Sequence, residues 1–322
     1  MANVRSCIDP AECRAVWDRS WPRECLFDLW EVRVSFAAGY KRHPYFLIAE
    51  EGDKIVGLLA LSRVDEDRCY MQYPGETWKG RTWLEQNKIP ARSHQVFNEL
   101  LYSVPGATHL RYLTEVSVPM GEMPVAVDEI GYLFFPENFS FSFDTYMQTF
   151  SGKSRKKLAR ELGELEKPGV AYRYNHVNDI QWLYKMNLQS FQQESYFYDP
   201  RFLDSMEKLV SWLHGKDMLR ITTILLGGTI AAVDIGAVWQ DTYTVLAGAT
   251  NPAFPGVAKM INFHHMQWAC EQRLKSVDFL CGDFGWKQRF HLTPRPLYEM
   301  HLYSVKTIPP KADIQQVHAC EQ

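Results

Sequence analysis

The sequence contains no C-x-x-C pair. Its seven cysteines, Cys7, Cys13, Cys25, Cys69, Cys270, Cys281 and Cys320, are odd in number and scattered, which excludes a disulfide framework or a zinc knuckle as the organising device. A reducing, cytoplasmic compartment fits that usage. A long hydrophobic run is also missing. The longest apolar stretch, residues 221–233, is shorter than the roughly 20 residues a membrane span needs and holds Gly227-Gly228 in its middle. Arg5, Asp9, Glu12 and Arg14 stand where a secretory signal would be apolar. Neither sign of charge dominates. With 35 basic and 38 acidic residues the net charge is −3, which argues against coating nucleic acid by bulk electrostatics and leaves room for a local basic patch. What is abundant is core material: 46% hydrophobic residues in a chain of 322, enough for two ordinary domains or one large one.

Two segments share one design. Residues 45–49 form an apolar run, residues 50–53 a polar turn containing Gly52, and residues 54–61 a returning apolar run. Far downstream, residues 219–226 are rich in β-formers, Gly227-Gly228 makes a two-residue turn, and residues 229–239 return. Aligned on their turns, Ile55 matches Ile230 and Leu59 matches Asp234. An internal duplication explains this most simply; two unrelated hairpins in one mixed domain is the alternative. The division predicted from it is 1–142 and 143–322, with 297–322 returning to the first half. The second half reads as helices over 179–193 and 200–213, then the hairpin, a strand at 242–249, a helix at 257–273, a short buried strand at 276–281 and a further turn at 286–290. A strand-helix-strand unit of this length predicts parallel neighbours in a mixed sheet, hence an α/β or α+β fold.

Three segments carry chemistry. In the first, Pro255-Gly256-Val257-Ala258-Lys259 joins a strand to a helix, so the first helical amides would be available to an anion. Cys281-Gly282-Asp283-Phe284-Gly285-Trp286-Lys287-Gln288-Arg289 follows the next buried strand, where open sheets gather their ligands. The third, residues 151–167, has an apolar stripe of Leu158, Leu162 and Leu165. It starts with Lys153, Arg155, Lys156, Lys157 and Arg160 and ends in acids, an order that opposes the helix dipole and suits a bound anion. A solvated charged face is the plain alternative.

The run Ser151-Gly152-Lys153-Ser154-Arg155-Lys156-Lys157-Leu158, the Pro255-Gly256 turn and Gly282-Asp283-x-x-Trp286-Lys287-x-Arg289 resemble the CelD-like acetyltransferases of the GNAT superfamily. The resemblance covers most of the chain: residues 30–61 look like that family's first half and residues 141–290 like its second. It implies two tandem GNAT-like domains, each a mixed twisted sheet flanked by helices, and an N- or O-acyltransferase that uses acyl-CoA and no metal. The acceptor it implies is a small molecule or saccharide precursor. The family's lysine beyond the last strand falls on Lys287, and its basic helix start on Lys153, Arg155 and Lys156. Fem-type aminoacyl transferases and the lysyl-phosphatidylglycerol synthase domain are similar, so an aminoacyl-tRNA donor stands as the alternative, and a catalytically inactive binding protein of the same fold as a third reading. Two departures stand out. The longer phosphate signature Gln/Arg-x-x-Gly-x-Gly/Ala is reduced to Pro255-Gly256-Val257-Ala258, and the extra helical arm of some Fem enzymes has no counterpart.

Acyl transfer needs a deprotonated nucleophile, donors for a tetrahedral oxyanion and neutralised phosphates on the carrier. The residues expected to supply these are Lys287, Asp234 and Asp283 for catalysis, with backbone amides near 246–249 as oxyanion donors. Gly256, Val257, Ala258, Lys259 and Arg289 are expected on the carrier, and Lys153, Arg155, Lys156, Trp78 and Trp286 on the substrate. Cys281 reads as a packed thiol, and His264-His265, with no partner at metal-ligand spacing, as a satisfied or exposed pair and not a metal site.

Overall fold

The computed structural model describes residues 2–115, 125–282 and 285–302. Its strands are β1 (Asn3–Cys7), β2 (Pro44–Glu51), β3 (Lys54–Val64), β4 (Cys69–Gln72), β5 (Thr108–Leu113), β6 (Val125–Phe134), β7 (Val170–Tyr174), β8 (Leu219–Leu226), β9 (Thr229–Trp239), β10 (Thr242–Thr250), β11 (Ser276–Asp278) and β12 (Thr293–Leu302). The helices are α1 (Pro10–Ser20), α2 (Trp30–Tyr40), α3 (His94–Tyr102), α4 (Phe143–Gln148), α5 (Gly152–Glu166), α6 (Asp179–Phe191), α7 (Pro200–Gly215), α8 (Val257–Glu271) and α9 (Trp286–Arg289). No described helix is long and apolar enough to cross a membrane.

The strands join into one mixed sheet in the order β1-β2-β3-β4-β5-β12-β6-β11-β10-β9-β8-β7. Counting inward from either edge, the first three pairings are antiparallel, the fourth is parallel and the fifth antiparallel. The repeat extends to single residues. Glu50 faces Ile55 and Leu225 faces Ile230, and each hairpin then carries a bulge at the same place, leaving Val56 and Ala231 unpaired. Both turns run through glycine at positive φ, Gly52 in one and Gly227-Gly228 in the other. Leu59 and Asp234 therefore occupy corresponding positions, facing Leu47 and Thr222.

The resemblance implies two tandem domains, each with its own sheet; the sheets are instead joined edge to edge. The cause is an exchange of strands. β6, which follows the first five strands, pairs with β11 of the second set, while β12 at the far end of the chain pairs with β5 of the first. β6 and β12 then pair with each other at the centre. Residues 303–322 of the expected returning tail lie outside the described residues.

The corresponding helices α2 and α7 pack on each other. Gly39 makes the approach possible, because a Cβ there would stand 2.1 Å from Ser205 Oγ and 2.8 Å from the Arg201 carbonyl. Phe27 and Phe36 from the first half share one core with Phe202, Leu209, Val233 and Ile235 from the second. That common core holds the first-half loops in a fixed place over the second half, which matters for the site.

Candidate active site

β10 and β11 pair only over Thr242–Thr244 and Ser276–Asp278. Beyond that, β10 continues to Thr250 past the end of its ladder with β11, while the chain after β11 turns away through Leu280 at φ 56°. Leu246 is bulged out of the ladder with β9 at the same place. The divergence opens a cavity of about 640 Å³ walled by residues 245–250, by Ala258, Ile261 and Asn262 of α8, and by residues 279–282. The first half closes it with Thr82, Trp83, Glu85, Tyr112 and Glu129.

The matching gap between β4 and β5 is occupied by the chain itself. Asn87 donates to the Tyr112 carbonyl and its own carbonyl accepts from Thr114, while Gln72 Nε2 donates to the Lys88 carbonyl at 3.0 Å. About 10 Å³ remains there. Among the described residues, the second of the two equivalent places holds the larger cavity. The segment that plugs the first gap also carries Glu85 into the second.

Glu85 is 5% exposed. Its Oε1 accepts from the Cys281 amide at 2.7 Å, whereas Oε2 has no hydrogen-bond partner and sits 3.8 Å from Arg295 Nη2. Burial and the neighbouring Asp278 charge raise its pKa to about 7, against the opposing pull of Arg295. Asp278 itself is well held. Its oxygens accept from Gln86, from both Nη atoms of Arg295 and from the Leu280 amide. A buried carboxyl with one unpartnered oxygen in a cavity wall, titrating near neutrality, has the properties of a proton acceptor. Sequence reasoning missed it, because nothing local marks Glu85 among its neighbours.

Lys287 requires a correction. Its side chain is 2% exposed, and Nζ donates to the carbonyls of Phe279, Leu280 and Cys281 at 2.9, 2.7 and 2.8 Å. An ammonium whose donors point at three carbonyls is not presented to a carrier phosphate or an oxyanion. Burial lowers its pKa, while Glu85 and Cys281 act the other way. The lysine instead fixes the path of the chain as it leaves β11, and so holds the cavity open. The Cys281 thiol is pushed up by burial and then by Glu85, which makes it a poor nucleophile. Asp283 lies outside the described residues.

Asp234 is in the wall, 5% exposed, and its Oδ2 lies 2.9 Å from Nε2 of fully buried His265 on α8. Each imidazole thus has a hydrogen-bond partner, as expected of the pair, His264 meeting the Tyr174 hydroxyl at 3.1 Å. Asp234 lies across Gly248 on β10, where a Cβ would stand 2.2 Å from Oδ1. Gly248→Ala is accordingly expected to push the carboxylate off His265 and to cost about 1–3 kcal/mol by overpacking, measured as a lowered denaturation midpoint. An unchanged midpoint would show that Asp234 moves freely and does not shape the wall.

A second chamber of about 630 Å³ adjoins the first, sharing Ala258, Asn262 and Trp286. Its wall combines Gly256, Ala258 and Lys259 at the start of α8 with Ser151, Ser154 and Lys157 of α5 and its cap, and with Arg289. Gly256 caps α8 at φ 96°. The Val257 and Lys259 amides are taken by the Phe254 and Gly256 carbonyls, and Lys259 Nζ is paired with Glu161. Of the basic residues expected here, Arg155 binds the carbonyls of Gln148 and Phe150, and Lys153 and Lys156 are exposed outside the wall; Lys157, one turn on, faces the chamber. Trp286 lines both chambers. Trp78 lines neither; it meets Tyr196 at a tilt of 48° beneath Lys79 and Arg81, and Trp83 takes the place in the wall.

Residues 152–288 match the family model of the Acetyltransferase (GNAT) domain. That stretch contains the opening, α8 and Lys287. Similar solved structures extend the likeness in fold over nearly the whole chain. FemX is 9% identical, with a TM-score of 0.56 over 92% of this chain and 97% of that one. L-PGS from Bacillus licheniformis is 12% identical, with a TM-score of 0.55 over 94% of each chain. A conserved protein of unknown function from Bacteroides thetaiotaomicron is 13% identical, with a TM-score of 0.53 over 94% and 100%. No curated protein matches the sequence significantly. The chain has the fold of GNAT acyl and aminoacyl transferases, and the likeness to a CelD-type member in particular is not among these findings.

Proposed function

We propose that the protein transfers an acyl group from acyl-CoA to an amine or hydroxyl, and that the transfer takes place in the cavity of the second half, 143–322. The observation that carries this reading is the inequality of the two openings, about 640 Å³ in the second half against about 10 Å³ in the first. The adjoining chamber suits the carrier: its amides at Gly256 and Ala258, with Lys157 and Arg289, would meet the phosphates. The acyl arm then passes Asn262 and Trp286 into the cavity.

There the acceptor attacks the thioester carbonyl, and its proton goes to the unpartnered oxygen of Glu85. The carbonyl oxygen gains its charge beside the bulged backbone at Leu246–Ala249, and the carrier leaves as thiolate. Lys287 and the Asp234–His265 pair act at one remove, by holding the two walls. The first half contributes Glu85 and the lid around Thr82 and Trp83.

Calorimetric titration with acetyl-CoA, run beside titration with charged tRNA, tests the donor. Binding of the CoA ester is expected to fall at least tenfold in Lys157→Ala/Arg289→Ala, both side chains being outside the core. Binding of charged tRNA with no response to acetyl-CoA would replace this reading with the aminoacyl one.

A further inference from the structure

Outside the lining of the acyl cavity, the β5–β12 ladder brings together three ligating side chains that the acyl-transfer reading does not use. His301 of β12 faces His109 of β5 directly in the ladder. Glu299 stands two residues before His301, so strand alternation puts both on one face of the sheet, while Met300 between them is fully buried in the opposite core. Glu299 Oε2 lies 2.9 Å from His109 Nε2 and 3.4 Å from His301 Nε2. The two imidazoles stack with centroids 3.9 Å apart, and the three donor atoms all lie within 4.8 Å of one another.

We propose that His109, Glu299 and His301 form a binding site for a divalent transition metal of the zinc class, which ties the last strand to the first half. Two imidazoles and one carboxylate are a donor set that zinc accepts, with the remaining position left to water. Tetrahedral bonds of about 2.0–2.1 Å separate neighbouring ligand atoms by roughly 3.3 Å, close to the observed spacing, and the stacked rings would turn apart so that both Nε2 lone pairs converge on the ion. Burial is the right degree for an entry path, since Glu299 and His109 are each 28% exposed and His301 is 46% exposed. The nearby cation is already matched, Arg111 being clamped to Asp128 by Nε and Nη2. Zinc takes the Nε2 lone pairs, and any proton shared between an imidazole and Glu299 is released to solvent. None of the three residues lines the acyl cavity, so the site is structural with respect to that reaction. Its place in the fold is the strand exchange: one ligand comes from β5 and two from β12.

The test uses the full chain, freed of metal by chelation and dialysis. Titration with zinc is expected to show one site per chain with micromolar or tighter affinity and to raise the thermal midpoint. Cobalt(II) in its place is expected to give the visible absorption of a tetrahedral N/O site. His109→Ala and His301→Ala are each expected to abolish the absorption, and Glu299→Gln to weaken it. Both histidines are partly exposed, so the variants should fold. The midpoint of the wild type with and without zinc also gives a readout that needs no variant. Absence of stoichiometric binding in the wild type, or binding that persists in the double histidine variant, would overturn the proposal.

Discussion

Glu85→Gln is expected to lower kcat/KM by roughly 10²–10⁴-fold, the contribution typical of a positioned proton acceptor. The loss should fall on kcat, since the amide keeps the shape of the wall and can still face the Cys281 amide. Wild-type kcat/KM should rise with pH and level off above about 7, following the raised carboxyl, and the variant should lack that limb. Stability should move the other way. Folded Glu85 keeps a proton that the unfolded chain gives up from about pH 4.5, so the folded state loses stability as pH rises from there to about 7. Glu85→Gln removes that loss. It should match the wild type in acid and be more stable above pH 7, by on the order of 3 kcal/mol at most. Activity and stability changing in opposite directions would mark a functional carboxyl and not a packing residue.

Lys287→Met is expected to be the most damaging substitution in the second half. It removes an ammonium bonded to three consecutive carbonyls, and charged hydrogen bonds contribute about 1.5–3 kcal/mol each before burial costs are set against them. A destabilisation of about 3 kcal/mol or more should accompany loss of activity as the chain after β11 relaxes into the cavity. Lys287→Arg should not rescue it, because a planar fork cannot converge on three carbonyls in the space of an ammonium. A variant that keeps its denaturation midpoint and shows only a raised KM would return Lys287 to a phosphate-binding role. Urea unfolding of the three proteins, together with steady-state kinetics, separates the two accounts.

Local pattern made much of the scaffold readable. Residues 219–226 and 229–239 are strands with the expected limits, and the helices begin where Asp179, Pro200 and Val257 predict. Alternation and turn glycines mark such elements from a few residues. Alignment of the hairpins on their turns also placed Leu59 opposite Asp234 in the repeat, and the shared bulge bears out that correspondence. What could not be read is long-range partnership. The return of the chain from residue 297 to the first half was expected, and β12 does pair with β5, but the pairing of β6 with β11 and β12 was not read. Lys287 looked like a cation awaiting an anion because the carbonyls that satisfy it belong to every residue type. Glu85 and Arg295 lie far apart in sequence and acquire their meaning only when α2 and α7 have packed and β12 has returned.

The central claim is that the acyl group is handled in the second opening and not the first. The most direct measurement is photolabelling with a CoA thioester whose acyl chain carries a diazirine, followed by peptide mapping by mass spectrometry. Label is expected within 245–262 and 279–287, with a share on 82–85 where the first half closes the cavity, and excess acetyl-CoA should suppress it. Competed label concentrated on β4 and β5 of the first half, or no label that acetyl-CoA can suppress, would contradict the account.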